Sequence, residues 1–205
     1  MRVLMYCEGV MDFEPICIFI RKTTLLSKIT ITRKTRQELR RETTLLNGRR
    51  GIHKHVTDID RLAMVAQKTK YLHIAYHQDA DGNDTNVYGS IENKFSNYSD
   101  KFSCLAIVPK ETIESWLLAD EHAYIAIFGS KPTHLPKKPE DVWGEKKDPA
   151  SNYPKHVIKR VLMQYHKTPN RDVYAEIAEQ CNIDTLRIRC PISFDRFFTD
   201  LHKFV

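Results

Sequence analysis

Two short apolar runs, each stopped by carboxylates and a glycine, constrain this chain more than any other feature. Val3-Leu4-Met5-Tyr6-Cys7 runs into Glu8-Gly9, and Tyr71-Leu72-His73-Ile74-Ala75-Tyr76 leads to Asp79-Ala80-Asp81-Gly82. Runs of this length and β-prone character read as buried parallel strands whose C-terminal ends carry polar loops. Open α/β sheets bind ligands at those ends. With the two strands adjacent, Glu8, Asp79 and Asp81 share one crevice, where carboxylates repel unless protons or a divalent cation intervene. The expected ion is Mg2+ or Mn2+.

The remaining pattern alternates strands with helices. Helical spacing runs from Met11 to Lys22 and from Thr57 to Lys68, and Ile29 to Thr32 is β-branched throughout. Asn83 to Asp100 is polar and predicts a loop followed by a weak helix around Ile91 to Phe95. Ser103 to Val108 reads as a fourth strand ended by Pro109, and Glu111 to Phe128 as one strong helix. The prediction is an α/β domain over residues 1–129, with a mainly parallel four-stranded sheet flanked by helices. Residues 130–154, rich in proline and lysine, read as an extended connector. Helical patterns at Lys155 to Tyr165, Arg171 to Cys181 and Ser193 to Phe204 predict a C-terminal helical subdomain over 155–205, packed on the first domain.

A chain of 205 residues, 41% hydrophobic and 28% charged, can bury one sizeable core. It has no apolar stretch long enough to span a bilayer, and a strand begins just after Arg2, so a cytoplasmic location is expected. The five cysteines lack C-x-x-C spacing and read as reduced core thiols. The pairs His53/His55 and His73/His77 lack a recognisable metal motif and read as scattered polar residues.

Charge is unevenly placed. Eleven Lys or Arg and two acidic residues between Arg21 and Lys54 give that stretch +9, leaving −3 elsewhere against a total of +6. Seven of the eleven are arginines, the residue suited to planar phosphate recognition. A basic block beside a carboxylate cluster fits a polyanionic substrate. Arg33, Arg36, Arg40, Arg41, Arg49 and Arg50 are the candidate nucleic-acid contacts.

Taken together, these motifs resemble the Toprim domain, the metal-dependent catalytic module of topoisomerases, bacterial primases and the overcoming-lysogenization-defect type nucleases. Glu8-Gly9 and Asp79-x-Asp81 stand where that family has its strand-end glutamate and D-x-D. The chain is most similar to the small Toprim-like family DUF4276. Glu8-Gly9-Val10-Met11-Asp12, Asp79 to Asp84, and Glu114-Ser115-Trp116-Leu117-Leu118-Ala119-Asp120 carry that likeness, with Cys190 to Phe194, Phe197 and Leu201 at the end. Met11 departs from the family's usual Thr or Ser. The likeness covers nearly the whole chain and implies Glu8, Asp79 and Asp81 as metal ligands. Glu114 joins them as a fourth catalytic carboxylate, close enough behind the fourth strand to face the same crevice.

The function this implies is Mg2+- or Mn2+-dependent hydrolysis of DNA or RNA. By analogy with nucleases that work beside ATPases, it further implies an ATPase partner in anti-phage defence or DNA maintenance. The alternative is a non-catalytic module of Toprim fold that binds nucleic acid or the ATPase. A small-molecule phosphohydrolase is a third reading, and G-x-x-x-x-G-K-[ST] is absent, which disfavours nucleotide hydrolysis.

Overall fold

The computed structural model describes residues 1–24, 28–47 and 56–205. Its elements run β1 (Arg2–Cys7), α1 (Phe13–Thr24), β2 (Thr30–Lys34), α2 (Arg36–Asn47), α3 (Asp58–Thr69), β3 (His73–His77), α4 (Asp84–Phe95) and β4 (Ser103–Ile107). There follow α5 (Ile113–Leu117), α6 (Glu121–Phe128), α7 (Pro154–Met163), α8 (Arg171–Gln180), α9 (Ile183–Arg189) and α10 (Ser193–Phe204). The four strands form one parallel sheet in the order β2-β1-β3-β4. The chain therefore leaves β1 towards β2 and then crosses back to β3. That reversal places the switch point, and the crevice that goes with it, at the C-terminal ends of β1 and β3.

Strand alternation divides the core in two. Val3, Met5, Cys7 and Ala75 face α1, α5 and the C-terminal helices, whereas Leu4, Tyr6, Ile74 and Tyr76 face α3 and α4. Tyr6 and Tyr76 are register partners, and their rings stack at 4.6 Å on the second face. The helices from α7 onward share a continuous hydrophobic core with the sheet, through Val157, Ile158, Tyr174, Phe194 and Phe197. The crevice is consequently built by both parts of the chain.

Three local expectations change. The predicted Glu111 to Phe128 helix is two helices, because Asp120 adopts an extended conformation and caps α6 by accepting from the His122 N–H at 2.9 Å. The polar stretch after Asn83 forms a full helix from Asp84. Arg196 grips the Asp84 carboxylate with both terminal nitrogens, at 2.8 and 2.6 Å, and so fixes the first turn of a weakly amphipathic segment. Helix α9 was not evident from periodicity; Asn182 caps it by accepting from Thr185 N–H at 3.0 Å.

Among the described residues the cysteines are free thiols, with Cys104 half-buried and the others buried. No helix among the described residues is long and apolar enough to cross a membrane.

Candidate active site

The loops leaving β1, β3 and β4 meet at the switch point. Four backbone hydrogen bonds lace the β3 loop to the β4 loop: Gln78 to Ile107, Ala80 to Pro109, Asp81 to Glu111 and Gly82 to Lys110. Asp81 and Gly82 both have positive φ, 49° and 81°, so the chain turns sharply there. Glycine suits the second of these positions for lack of a Cβ.

The turn separates the two aspartates of the D-x-D motif. Asp79 continues the strand alternation into the face occupied by Cys7 and His77, and its Oδ2 accepts from Lys155 Nζ at 3.1 Å. Asp81 stays at the exposed rim, where its carboxylate pairs with Lys146 at 2.5 Å and accepts from the Tyr153 hydroxyl at 3.2 Å. Lys146 and Tyr153 come from the predicted connector. That segment places its charge at the mouth of the crevice.

Asp12, Asp79 and Glu114 are coupled through their charges, Asp12 to Asp79 and Glu114 to both, although among the described residues their oxygens do not close into one group within 4.8 Å. All three act on Lys155. Burial alone would lower that ammonium, and the surrounding Glu114, Asp79 and Asp12 overcome it and raise its pKa. For Asp79, burial pushes the carboxyl up, but His77 and Lys155 outweigh it and hold the pKa below the ordinary value. Asp12 moves the other way: burial raises it, and nearby His77 only partly offsets that. A pocket of about 350 Å3 opens beside them, lined by Gly9, Asp12, Glu114, Lys155 and Tyr174 among others. Two oxygens here, Asp79 Oδ1 and Glu114 Oε2, are buried without a hydrogen-bond partner. An unpartnered buried carboxylate oxygen is costly, and a cation would satisfy it.

Glu114 is 2% exposed and accepts from the Tyr174 hydroxyl at 3.2 Å. Burial is the main force pushing its carboxyl up to about 7; Lys155 opposes it, and Asp12 and Asp79 add to it. A carboxyl that titrates higher in the folded chain than its ordinary 4.5 takes up a proton on folding between those values. Stability therefore falls as pH rises through that window. In metal-free protein, Glu114→Gln is expected to remove this slope. The variant should match wild type below about pH 4.5 and gain on it up to about pH 7.5, by roughly 3 kcal/mol at most. Thermal melts in EDTA across that range check this, and parallel curves would contradict it.

Glu8 is exposed at the end of β1 and makes no ion pair or hydrogen bond among the described residues. Its electrostatic neighbours are Tyr6 and Tyr76, on the sheet face opposite Cys7. The carboxylate that the β1 loop sends into the buried cluster is Asp12. Gly9 makes this possible by close approach, with no positive φ required: a Cβ there would lie 2.0 Å from Asp12 Oδ2.

The basic residues divide. Arg33 Nη2 donates to the Gly9 carbonyl at 3.3 Å, which ties β2 to the β1 loop, and Arg36 pairs with Asp58 at 2.7 Å. Arg40 and Arg41 are exposed on α2. Arg49 and Arg50, with His53 and His55, lie outside the described residues.

The reading of His77 as a scattered polar side chain is corrected. It is fully buried, with Nδ1 3.4 Å from Cys7 Sγ and 3.9 Å from Asp12 Oδ2, and Nε2 3.5 Å from Asp79 Oδ1. The last contact lacks hydrogen-bond geometry and is electrostatic. Cys7 and His77 are register partners on neighbouring strands, so the pairing itself brings them together.

Fold and crevice define an open parallel α/β protein with an acidic cleft at its switch point. Comparison with protein-family models, with curated proteins and with solved structures finds no match to this chain.

Proposed function

We propose that this chain is a Toprim-like nuclease that hydrolyses phosphodiester bonds of DNA or RNA with Mg2+ or Mn2+. The observation that carries this reading is the pair of unpartnered buried oxygens, on Asp79 and Glu114, beside Asp12 at the switch point. The donor set is all oxygen, which fits a hard divalent cation. Asp12, Asp79 and Glu114 would hold it, with Asp81 at the rim. When bound, the ion supplies charge stabilisation to the phosphate and a more acidic water.

The protein's own groups do the rest. A carboxylate would accept the proton of the attacking water as its oxygen bonds to phosphorus and the bond to the departing sugar oxygen breaks, the role that the sequence assigns to Glu8 at the C-terminal end of β1. Lys155 offers a positive charge to the phosphate where it now offsets the carboxylates. Exposed Arg40 and Arg41 hold the flanking backbone, while Arg33 keeps the Gly9 turn in place. An ATPase partner and a role in anti-phage defence or DNA maintenance extend the same reading by analogy.

Because Asp12 lies where a Gly9 Cβ would go, Gly9→Ala is expected to displace that carboxylate. Mn2+ affinity should fall by roughly 10- to 100-fold with little change in the circular dichroism spectrum. Calorimetric titration with Mn2+ checks this, and unchanged affinity would contradict it.

The function itself is tested with supercoiled plasmid, single-stranded DNA and tRNA, each in Mg2+, Mn2+ or EDTA, for wild type and the Asp79→Ala/Asp81→Ala variant. Cleavage that needs metal and vanishes in the variant supports the proposal. Binding without cleavage in either form would favour a non-catalytic module.

A further inference from the structure

Cys7, His77 and Asp12 form a second donor group directly beneath the acidic crevice. Their exposures are 1%, 0% and 3%, and one donor atom from each lies within 4.8 Å of the other two. We propose that this group is a binding site for a borderline-soft transition metal of the zinc class, with Cys7 Sγ, His77 Nδ1 and Asp12 Oδ2 as ligands.

Geometry supports it first. Tetrahedral bonds of about 2.3 Å to sulfur and about 2.0–2.1 Å to nitrogen or oxygen imply ligand-to-ligand distances of roughly 3.3–3.6 Å. Cys7 Sγ and His77 Nδ1 already stand 3.4 Å apart, and His77 Nδ1 and Asp12 Oδ2 stand 3.9 Å apart. The third pair, Cys7 and Asp12, lies within 4.8 Å, so an approach of Asp12 closes the set. The second argument is the far side of the imidazole. Metal-binding histidines usually turn their other nitrogen towards a carboxylate that fixes the ring. His77 Nε2 faces Asp79 Oδ1 at 3.5 Å, both atoms otherwise unpartnered, and Lys155 anchors that carboxylate from its other oxygen at 3.1 Å. Chemistry supplies the third. A thiolate, an imidazole and one carboxylate select zinc-class ions, whereas Mg2+ prefers the all-oxygen set of Asp79, Glu114 and Asp12.

Access comes from above. Asp12 lines the 350 Å3 pocket, so an ion entering the crevice reaches this carboxylate first. Asp12 belongs to both donor groups, and the two sites compete for it. The inference does not rest on the nuclease reading, since Cys7 and His77 take no part in the hydrolysis described above, although Asp12 and Asp79 Oδ1 serve both sites.

The test uses Co2+ as a spectroscopic substitute for zinc, added to the reduced, metal-free full chain. A thiolate-to-cobalt charge-transfer band in the near ultraviolet is expected, together with intense visible bands of a tetrahedral ion, all abolished by one equivalent of Zn2+. Cys7→Ser should lose the ultraviolet band, and Cys104→Ser should keep it. Absence of the band in wild type, or its persistence in Cys7→Ser, would overturn the proposal and leave Cys7 and His77 as a hydrogen-bonded core pair. Zinc-edge X-ray absorption of wild type needs no variant. One sulfur neighbour with nitrogen or oxygen neighbours supports the site, and a shell without sulfur overturns it. Neither readout involves cleavage, so failure here and failure of the nuclease reading are separately visible.

Discussion

Asp79→Asn is expected to lower metal-dependent cleavage by about 10^2- to 10^3-fold, the scale of losing one preorganised charge-stabilising group in a hydrolytic site. The substitution keeps the shape of the side chain and removes its charge. Asp79 faces His77 at 3.5 Å on one side and Lys155 at 3.1 Å on the other, and it carries one of the two unpartnered oxygens. An amide leaves Lys155 with less to balance it and gives a cation a weaker ligand. The loss should appear in kcat more than in KM, because the proposed function puts Asp79 at the metal and leaves the substrate backbone to the arginines. Single-turnover cleavage in saturating Mn2+ measures it. A rate within threefold of wild type would contradict the assignment.

The second large effect concerns stability. Trp116→Ala is expected to cost about 3–5 kcal/mol, a large share of the roughly 5–15 kcal/mol that holds a domain folded. Trp116 is fully buried where the sheet meets the C-terminal helices, with ring centroids 5.0 Å from Phe194, 5.3 Å from Phe197 and 6.2 Å from Phe19. Its Nε1 donates to Ser193 Oγ at 2.8 Å, and Ser193 in turn donates to the buried carboxylate of Glu140. Truncation opens a cavity and leaves that polar chain a partner short. Trp116→Phe keeps part of the ring packing, leaves a smaller void and loses the indole hydrogen bond, so it should cost less, roughly 1–3 kcal/mol. Urea unfolding followed by circular dichroism distinguishes the two. A loss below about 1 kcal/mol for Trp116→Ala would show that the C-terminal helices do not depend on this contact.

Strand ends were legible because burial on both faces leaves a continuous apolar run, and Val3 to Cys7 is one. Asp79 was legible because it follows such a run directly. Glu114 was legible from its place close behind the fourth strand, whereas the other members of the site were hidden for physical reasons. Asp12 sits in the turn before α1 and enters only because Gly9 lets its carboxylate close in. Glu8 is one step out of phase with Cys7, and strand alternation gives it different neighbours. Positive φ at Asp81 breaks the alternation that would have kept it beside Asp79. Lys155 and Tyr174 arrive from helices whose apolar periodicity shows that they pack but not against what. His77 joins Cys7 through a strand pairing that no local pattern specifies, and seventy residues separate the two in sequence. Composition did expose the basic block, although it could not separate Arg33 and Arg36, which make internal contacts, from exposed Arg40 and Arg41.

The most direct test of the central claim is a Mn2+ titration followed by the electron paramagnetic resonance signal of the aqueous ion. Wild type and Asp79→Asn are compared in the absence of nucleic acid. The acidic crevice at the switch point predicts that wild type removes the aqueous signal as it binds Mn2+, and that the variant binds roughly tenfold more weakly or worse. Equal depletion by both proteins, or none by wild type, would contradict it.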